Sequence, residues 1–161
     1  MAHSPAGHAD LWLWASCTDD RLRGLYQRHY SSDKATRRRG RPIDTPNQLR
    51  MVGPGEYRGM LTADCRAGFI WRLSKHRKDG QTGVECTLFR NEGTSAGCYA
   101  SCLILGAMSW AWRAWPGARL FTFVDPRKVR STNPGYCFLM AGWRRVPGLT
   151  KRGLVVLEVT P

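Results

Sequence analysis

Two apolar runs, "VECTLFRN" (84–91) and "RLFTFV" (119–124), enclose the long segment "SAGCYASCLILGAMSWAWRAW" (95–115). The outer runs are rich in β-branched and aromatic residues and read as strands. The middle segment is too long for a strand. It reads as a buried helix, with Pro116-Gly117 as its stop signal. A strand, a helix and a strand in this order predict a parallel pair joined by a right-handed crossover.

Working outward, residues 1–9 hold Gly, Pro and two His and read as a flexible tail. Residues 10–161 read as a single domain. "DLWLWASC" (10–17) predicts a strand. "TDDRLRGLYQRHY" (18–30) predicts a helix with Thr18 as N-cap and its acids in the first turn. Leu22, Leu25, Tyr26 and His29 then share a face. Further strands are expected over 49–52, 57–64, 69–74 and 153–159. Pro134 and Gly142 bracket a short helix. The predicted fold is α/β: a mixed, mostly antiparallel sheet with helices on both faces.

The chain has 161 residues, 42% of them hydrophobic, and a formal net charge of +13. That apolar content builds a core and excludes wholesale disorder. The charge is clustered in loops at 31–47 and 75–82, which predicts a polyanionic partner. Arg37, Arg38, Arg39, Lys75, Arg77, Lys78 and Lys128 are the expected phosphate-gripping residues on double-stranded DNA; for the first loop the bland alternative is a solvated surface. Six cysteines form no C-x-x-C pair, and most lie in apolar runs. No apolar run has the length of a secretory leader or a bilayer span. Buried thiols in a reducing cytoplasm, with no membrane partner, are expected.

The element order resembles the Gcn5-related N-acetyltransferase (GNAT) fold. In that fold a helix start after a central strand binds the pyrophosphate of coenzyme A. The corresponding residues are Arg90, Asn91, Gly93, Ser95 and Ala96, with Glu92 an odd neighbour for an anion. Backbone N–H groups at a helix start do favour anions; a plain strand-to-helix turn is the alternative. "LFRNEG" (88–93), "TFVDPRKV" (122–129), "NPGYCFLMAGWRR" (133–145) and "TKRGLVVLE" (150–158) more closely resemble Mom-type bacteriophage DNA modification proteins, an offshoot of that fold. The resemblance covers most of the chain from about residue 57.

The resemblance implies carbamoylmethylation of the N6 amine of adenine in DNA, which protects phage DNA from restriction in the cytoplasm of the infected bacterium. Acetyl-CoA or another acyl donor would be the cofactor. A flipped base is expected, with Trp12, Trp14, Trp71 and Trp143 as candidate stacking surfaces, although core is the favoured reading of any single one. Asp125 ends a strand before a proline and is the leading site residue, against a turn-capping role. Tyr136 is a candidate proton donor to the leaving group, against a packed tyrosine. His29 is a candidate base, against a helix cap. Together His29, Asp125 and Tyr136 would suit a hard metal such as iron. Two other readings stand: an acetyl-CoA-dependent N-acetyltransferase acting on a protein or small amine, and a non-catalytic DNA-binding protein.

Overall fold

The computed structural model describes residues 5–30, 51–94 and 99–161. A 3-10 turn over Pro5–Leu11 leads into β1 (Leu13–Ala15) and α1 (Asp20–Arg28). Strands β2 (Gly55–Leu61), β3 (Ala67–Ser74) and β4 (Val84–Asn91) follow, then α2 (Ala100–Ala114) and β5 (Leu120–Val124). The chain closes with α3 (Tyr136–Met140), β6 (Arg144–Arg145) and β7 (Val155–Val159). The seven strands form one sheet in the order β1-β2-β3-β4-β5-β7-β6. Among the described residues only the β4–β5 pair is parallel, as the strand–helix–strand reading expects.

The sheet buries both faces. Leu22 and Leu25 of α1 pack on one face with Leu61, Ile70 and Leu88. A Cβ on Gly68 would stand 2.7 Å from Leu22 Cδ1, so glycine there permits the close approach of α1. Asp19 caps α1, accepting from the amides of Arg21 and Leu22. The cap is one residue beyond Thr18, because the carboxylate reaches both N–H groups. On the other face α2 sets Leu103, Ala107 and Ala111 at four-residue intervals against Met60, Phe69 and Trp71. Trp71 donates its indole N–H to the Ala107 carbonyl at 2.8 Å.

Several expectations are corrected. Residues 5–9 belong to the 3-10 turn, and Ala9 is buried. The Ala9 carbonyl accepts from Trp110 Nε1 at 3.1 Å, which ties the turn to α2. Met51 and Val52 lie in a bend, not a strand; Met51 still joins the α1-side core. The strand read over 10–17 shrinks to three residues because the 3-10 turn takes its start. The strand β6 has no counterpart in the sequence reading; two arginines carry no strand pattern, and pairing with β7 alone defines it.

Gly106 shows how tightly the 3-10 turn sits. A Cβ there would lie 2.2 Å from the His8 carbonyl oxygen, a backbone atom that cannot swing aside. Gly106→Ala is therefore expected to destabilise the fold by about 1–3 kcal/mol through overpacking, despite alanine's better helix propensity. Thermal unfolding of parent and variant checks the sign.

Candidate functional site

A one-residue irregularity in β4 creates the opening. Ile70 pairs with Leu88 but Trp71 pairs with Cys86, so Thr87 is an extra residue on β4. Such a bulge bends its strand away from regular pairing. The parallel register with β5 runs from Val84↔Leu120 to Cys86↔Thr122 and stops there. Thr122 Oγ1 closes the last rung by donating to the Cys86 carbonyl at 2.9 Å. Beyond it the two strands part, and a cavity of about 390 Å³ opens between them. The C-terminal ends of parallel strands, where neighbours diverge, are a recurrent ligand crevice.

His29 and Tyr30, just after α1, stand in its wall with Cys86, Phe89, Asp125 and Cys137. The two rings are 4.4 Å apart. Burial, then the nearby Arg90 charge, lowers the His29 pKa to about 4, against a hydrogen bond to the Phe89 backbone that raises it. The imidazole is thus neutral at pH 7. Tyr30 bonds the Asp125 backbone, and burial raises its pKa. Burial also pushes the Cys86 and Cys137 thiols up. These thiols stay protonated and are poor nucleophiles.

Asp125 is buried at the cavity wall, but its carboxylate is engaged. Oδ1 accepts from Arg127 Nε at 2.9 Å and from the Arg127 amide at 3.1 Å; Oδ2 accepts from Arg127 Nη2 at 3.0 Å. The Arg127 guanidinium holds its pKa below the ordinary carboxylate range, and the amide bond adds to this. Both carboxylate oxygens are thus taken up by Arg127, so the turn-capping alternative has the better geometric support. Arg127 also reaches the Arg152 carbonyl at 3.2 Å. The pair thereby ties the loop after β5 to the turn before β7.

Tyr136 is not brought to the site. It opens α3 on the outside, 54% exposed, and does not line the cavity. The tyrosine at the wall is Tyr30, which sequence reasoning passed over although it adjoins His29. Asp125 oxygens held by Arg127 and a Tyr136 outside the wall do not make a metal donor set with His29. Among the described residues no group of three His, Cys, Asp or Glu is placed to hold a metal ion.

The expected pyrophosphate loop is largely self-satisfied. Asn91 Oδ1 accepts from the amides of Gly93 and Thr94 at 3.0 and 3.1 Å, and the Glu92 amide donates to the Arg66 carbonyl. Arg90 pairs with Glu92 and donates to the Arg28 carbonyl. Arg28 and Arg90 together hold the Glu92 pKa down to about 2. Ser95 and Ala96 lie outside the described residues.

The cationic residues divide similarly. Arg77 is an internal strut, bonded to Asp79 and Glu85 and set over the Phe121 ring; this corrects its reading as a phosphate grip, because both acids are already its partners. Lys75 and Lys78 are exposed, but their loop enters β4 at Val84, the end away from the opening. Lys128 is exposed and lines the cavity. Arg37, Arg38 and Arg39 lie outside the described residues. Trp12, Trp71 and Trp143 are core; of the four tryptophans considered for stacking, only Trp14 is exposed, at 61%, on the edge strand β1.

The five described cysteines are free thiols. No helix among the described residues is long and apolar enough to cross a membrane. The architecture is a mixed α/β protein with a mostly antiparallel sheet and an opening between its two parallel strands. No protein-family model matches the chain, and neither does any curated protein.

Proposed function

We propose that the chain is a Mom-like DNA modification enzyme on a GNAT-like fold, which alters the N6 amine of an adenine extruded into the cavity between β4 and β5. The observation that carries this reading is the cavity itself: a neutral His29 in its wall and cations at its mouth. Its volume lies within the range of small-molecule sites. An exocyclic amine inside a duplex is reachable only after flipping. In the step proposed, the N6 nitrogen forms a bond to the donor carbon. The donor's leaving group departs with the bonding pair, and the displaced N6 proton passes to His29 as general base.

Carbamoylmethylation is the transfer that the resemblance implies. It would shield phage DNA from restriction in the infected host's cytoplasm. A GNAT-like fold implies acetyl-CoA or another acyl donor, whose transfer through the acyl carbon would leave an N6-acyl adenine. A carbamoylmethyl product needs a donor that yields its methylene carbon to N6 while the leaving group keeps the bonding pair. The loop at 91–94 gives the plain acetyltransferase reading less support, because its described amides already serve protein acceptors.

Mass spectrometry of nucleosides from cells expressing the chain tests the proposal. A mass-shifted deoxyadenosine is the expected result. Unmodified DNA with an acetylated protein or small amine would favour the acetyltransferase. Unmodified DNA with tight, salt-sensitive binding would favour a non-catalytic DNA-binding protein.

A further inference from the structure

Two turns flank the mouth of the cavity, and each carries cations that make no ion pair among the described residues. After β5 the Lys128 and Val129 amides both donate to the Asp125 carbonyl, at 3.1 and 3.3 Å, fixing one turn. That turn exposes Lys128 and, two residues on, Arg130. Before β7, Thr150 and Leu154 close the second turn. The Thr150 amide donates to the Leu154 carbonyl at 3.0 Å, and the Gly153 amide donates to the Thr150 carbonyl at 2.8 Å. Gly153 adopts a φ of 75°, the left-handed conformation glycine tolerates. Lys151 and Arg152 stand exposed at its tip. Lys128 and Arg152 both line the cavity.

The neighbouring arginines are occupied. Arg127 holds Asp125, Arg144 pairs with Glu158, and Arg145 bonds Asn133 and the Pro134 carbonyl at 2.9 Å. No ion pair among the described residues involves Lys128, Arg130, Lys151 or Arg152. Lys128 and Arg152 line the same cavity. Their like charges repel one another, the Asp125 carboxylate offsets Lys128 only in part, and an anion between them relieves the repulsion.

We infer that Lys128 and Arg130 on one turn, and Lys151 and Arg152 on the other, form a two-sided clamp for the DNA backbone on either side of one extruded nucleotide. This rests on the DNA-modifying reading of the cavity and names its substrate as a nucleotide within a polymer. The clamp is preorganised: the Asp125–Arg127 pair and its bond to the Arg152 carbonyl hold the two turns together. Phosphate contacts of this kind position the duplex and carry no sequence information.

The test is the salt dependence of binding to a short DNA duplex, for the parent chain and for Lys128→Gln/Arg130→Gln/Lys151→Gln/Arg152→Gln. Each phosphate contact contributes a slope of about −0.9 in log affinity against log salt. The quadruple variant is expected to lose roughly 3–4 units of slope, so that between about 50 and 200 mM salt the parent weakens roughly 100-fold more than the variant. All four side chains are exposed, so circular dichroism should be unchanged. An unchanged slope in a folded variant overturns the clamp, as does an equal loss in Lys75→Gln/Lys78→Gln. A duplex carrying 2-aminopurine at adenine positions checks the extruded state. Its fluorescence should rise with the parent and not with Lys128→Gln/Arg152→Gln at saturation; equal rises would overturn the flanking geometry. Nucleoside analysis in parallel separates the two ideas: a flattened slope without modified deoxyadenosine keeps the clamp and removes the enzyme, and the reverse outcome keeps the enzyme and removes the clamp.

Discussion

His29→Gln is expected to lower adenine modification by roughly 100-fold or more, the contribution of a positioned general base, while DNA binding is retained. Glutamine keeps a hydrogen-bonding group of similar size but cannot take a proton at neutral pH. The pH profile carries the second half of the prediction. With its pKa lowered to about 4, the imidazole is already in its basic form at pH 5. Modification should therefore stay level from about pH 8 to pH 5 instead of falling near the ordinary histidine value. A profile that breaks near 6.5, or a fully active His29→Gln, removes His29 from the chemistry.

The same residue links stability to pH. The unfolded chain protonates His29 near 6.5, and the folded chain does so only near 4. Between those values the unfolded state binds the extra proton, so stability is full above 6.5 and is lost as pH falls toward 4. The loss amounts to about 3 kcal/mol at most. Asp19, Asp79, Asp125 and Glu92, all held low by arginines, contribute in a lower window, below the ordinary carboxylate values. Urea unfolding at pH 7.5, 6 and 5 isolates the histidine part, because His29→Gln should flatten that slope. An unaltered slope would mean the ring is solvated.

Trp71→Ala should cost about 3–5 kcal/mol, the usual loss for emptying a large aromatic site in a core. Trp71 is 0% exposed. Its ring is 4.7 Å from Phe69 and 6.2 Å from Trp143, stacked on the latter. Its indole N–H is spent on the Ala107 carbonyl. Such a loss is a large part of the stability of an ordinary domain, and urea denaturation measures it directly. A surface stacking platform would behave in the opposite way, losing affinity for DNA with its melting temperature intact.

Tryptophan illustrates the limits of reading residues singly. Trp12, Trp14 and Trp71 all sit in apolar runs read as strands, and nothing local separates them. Strand pairing does: Trp71 faces α2 from the middle of the sheet, whereas Trp14 lies on the edge strand β1. Tyr136 and Tyr30 repeat the lesson. Position after a strand favoured Tyr136, yet the five-residue helix it opens holds it outside, and Tyr30 reaches the cavity from more than 90 residues away along the chain. Arg77 looked like part of a basic loop because its acid partner Glu85 belongs to the next strand.

What the amino-acid sequence determined on its own was the strand–helix–strand unit at 84–124, the parallel pair inside an otherwise antiparallel sheet, and the end of β5 at Asp125-Pro126. Those features follow from local periodicity and from chain-breaking residues, which act within a few positions. The opening between β4 and β5 was decided only by the tertiary structure. It depends on the extra residue Thr87, which appears only when β4 is paired with β3, and on the last parallel rung at Cys86 and Thr122. The same is true of the Asn91 side chain that fills the loop amides and of the Arg127 that neutralises Asp125. A short polar side chain can turn toward its own backbone, toward a neighbour or toward a ligand at similar cost in free energy. Packing around it makes the choice, and packing is a property of the whole fold.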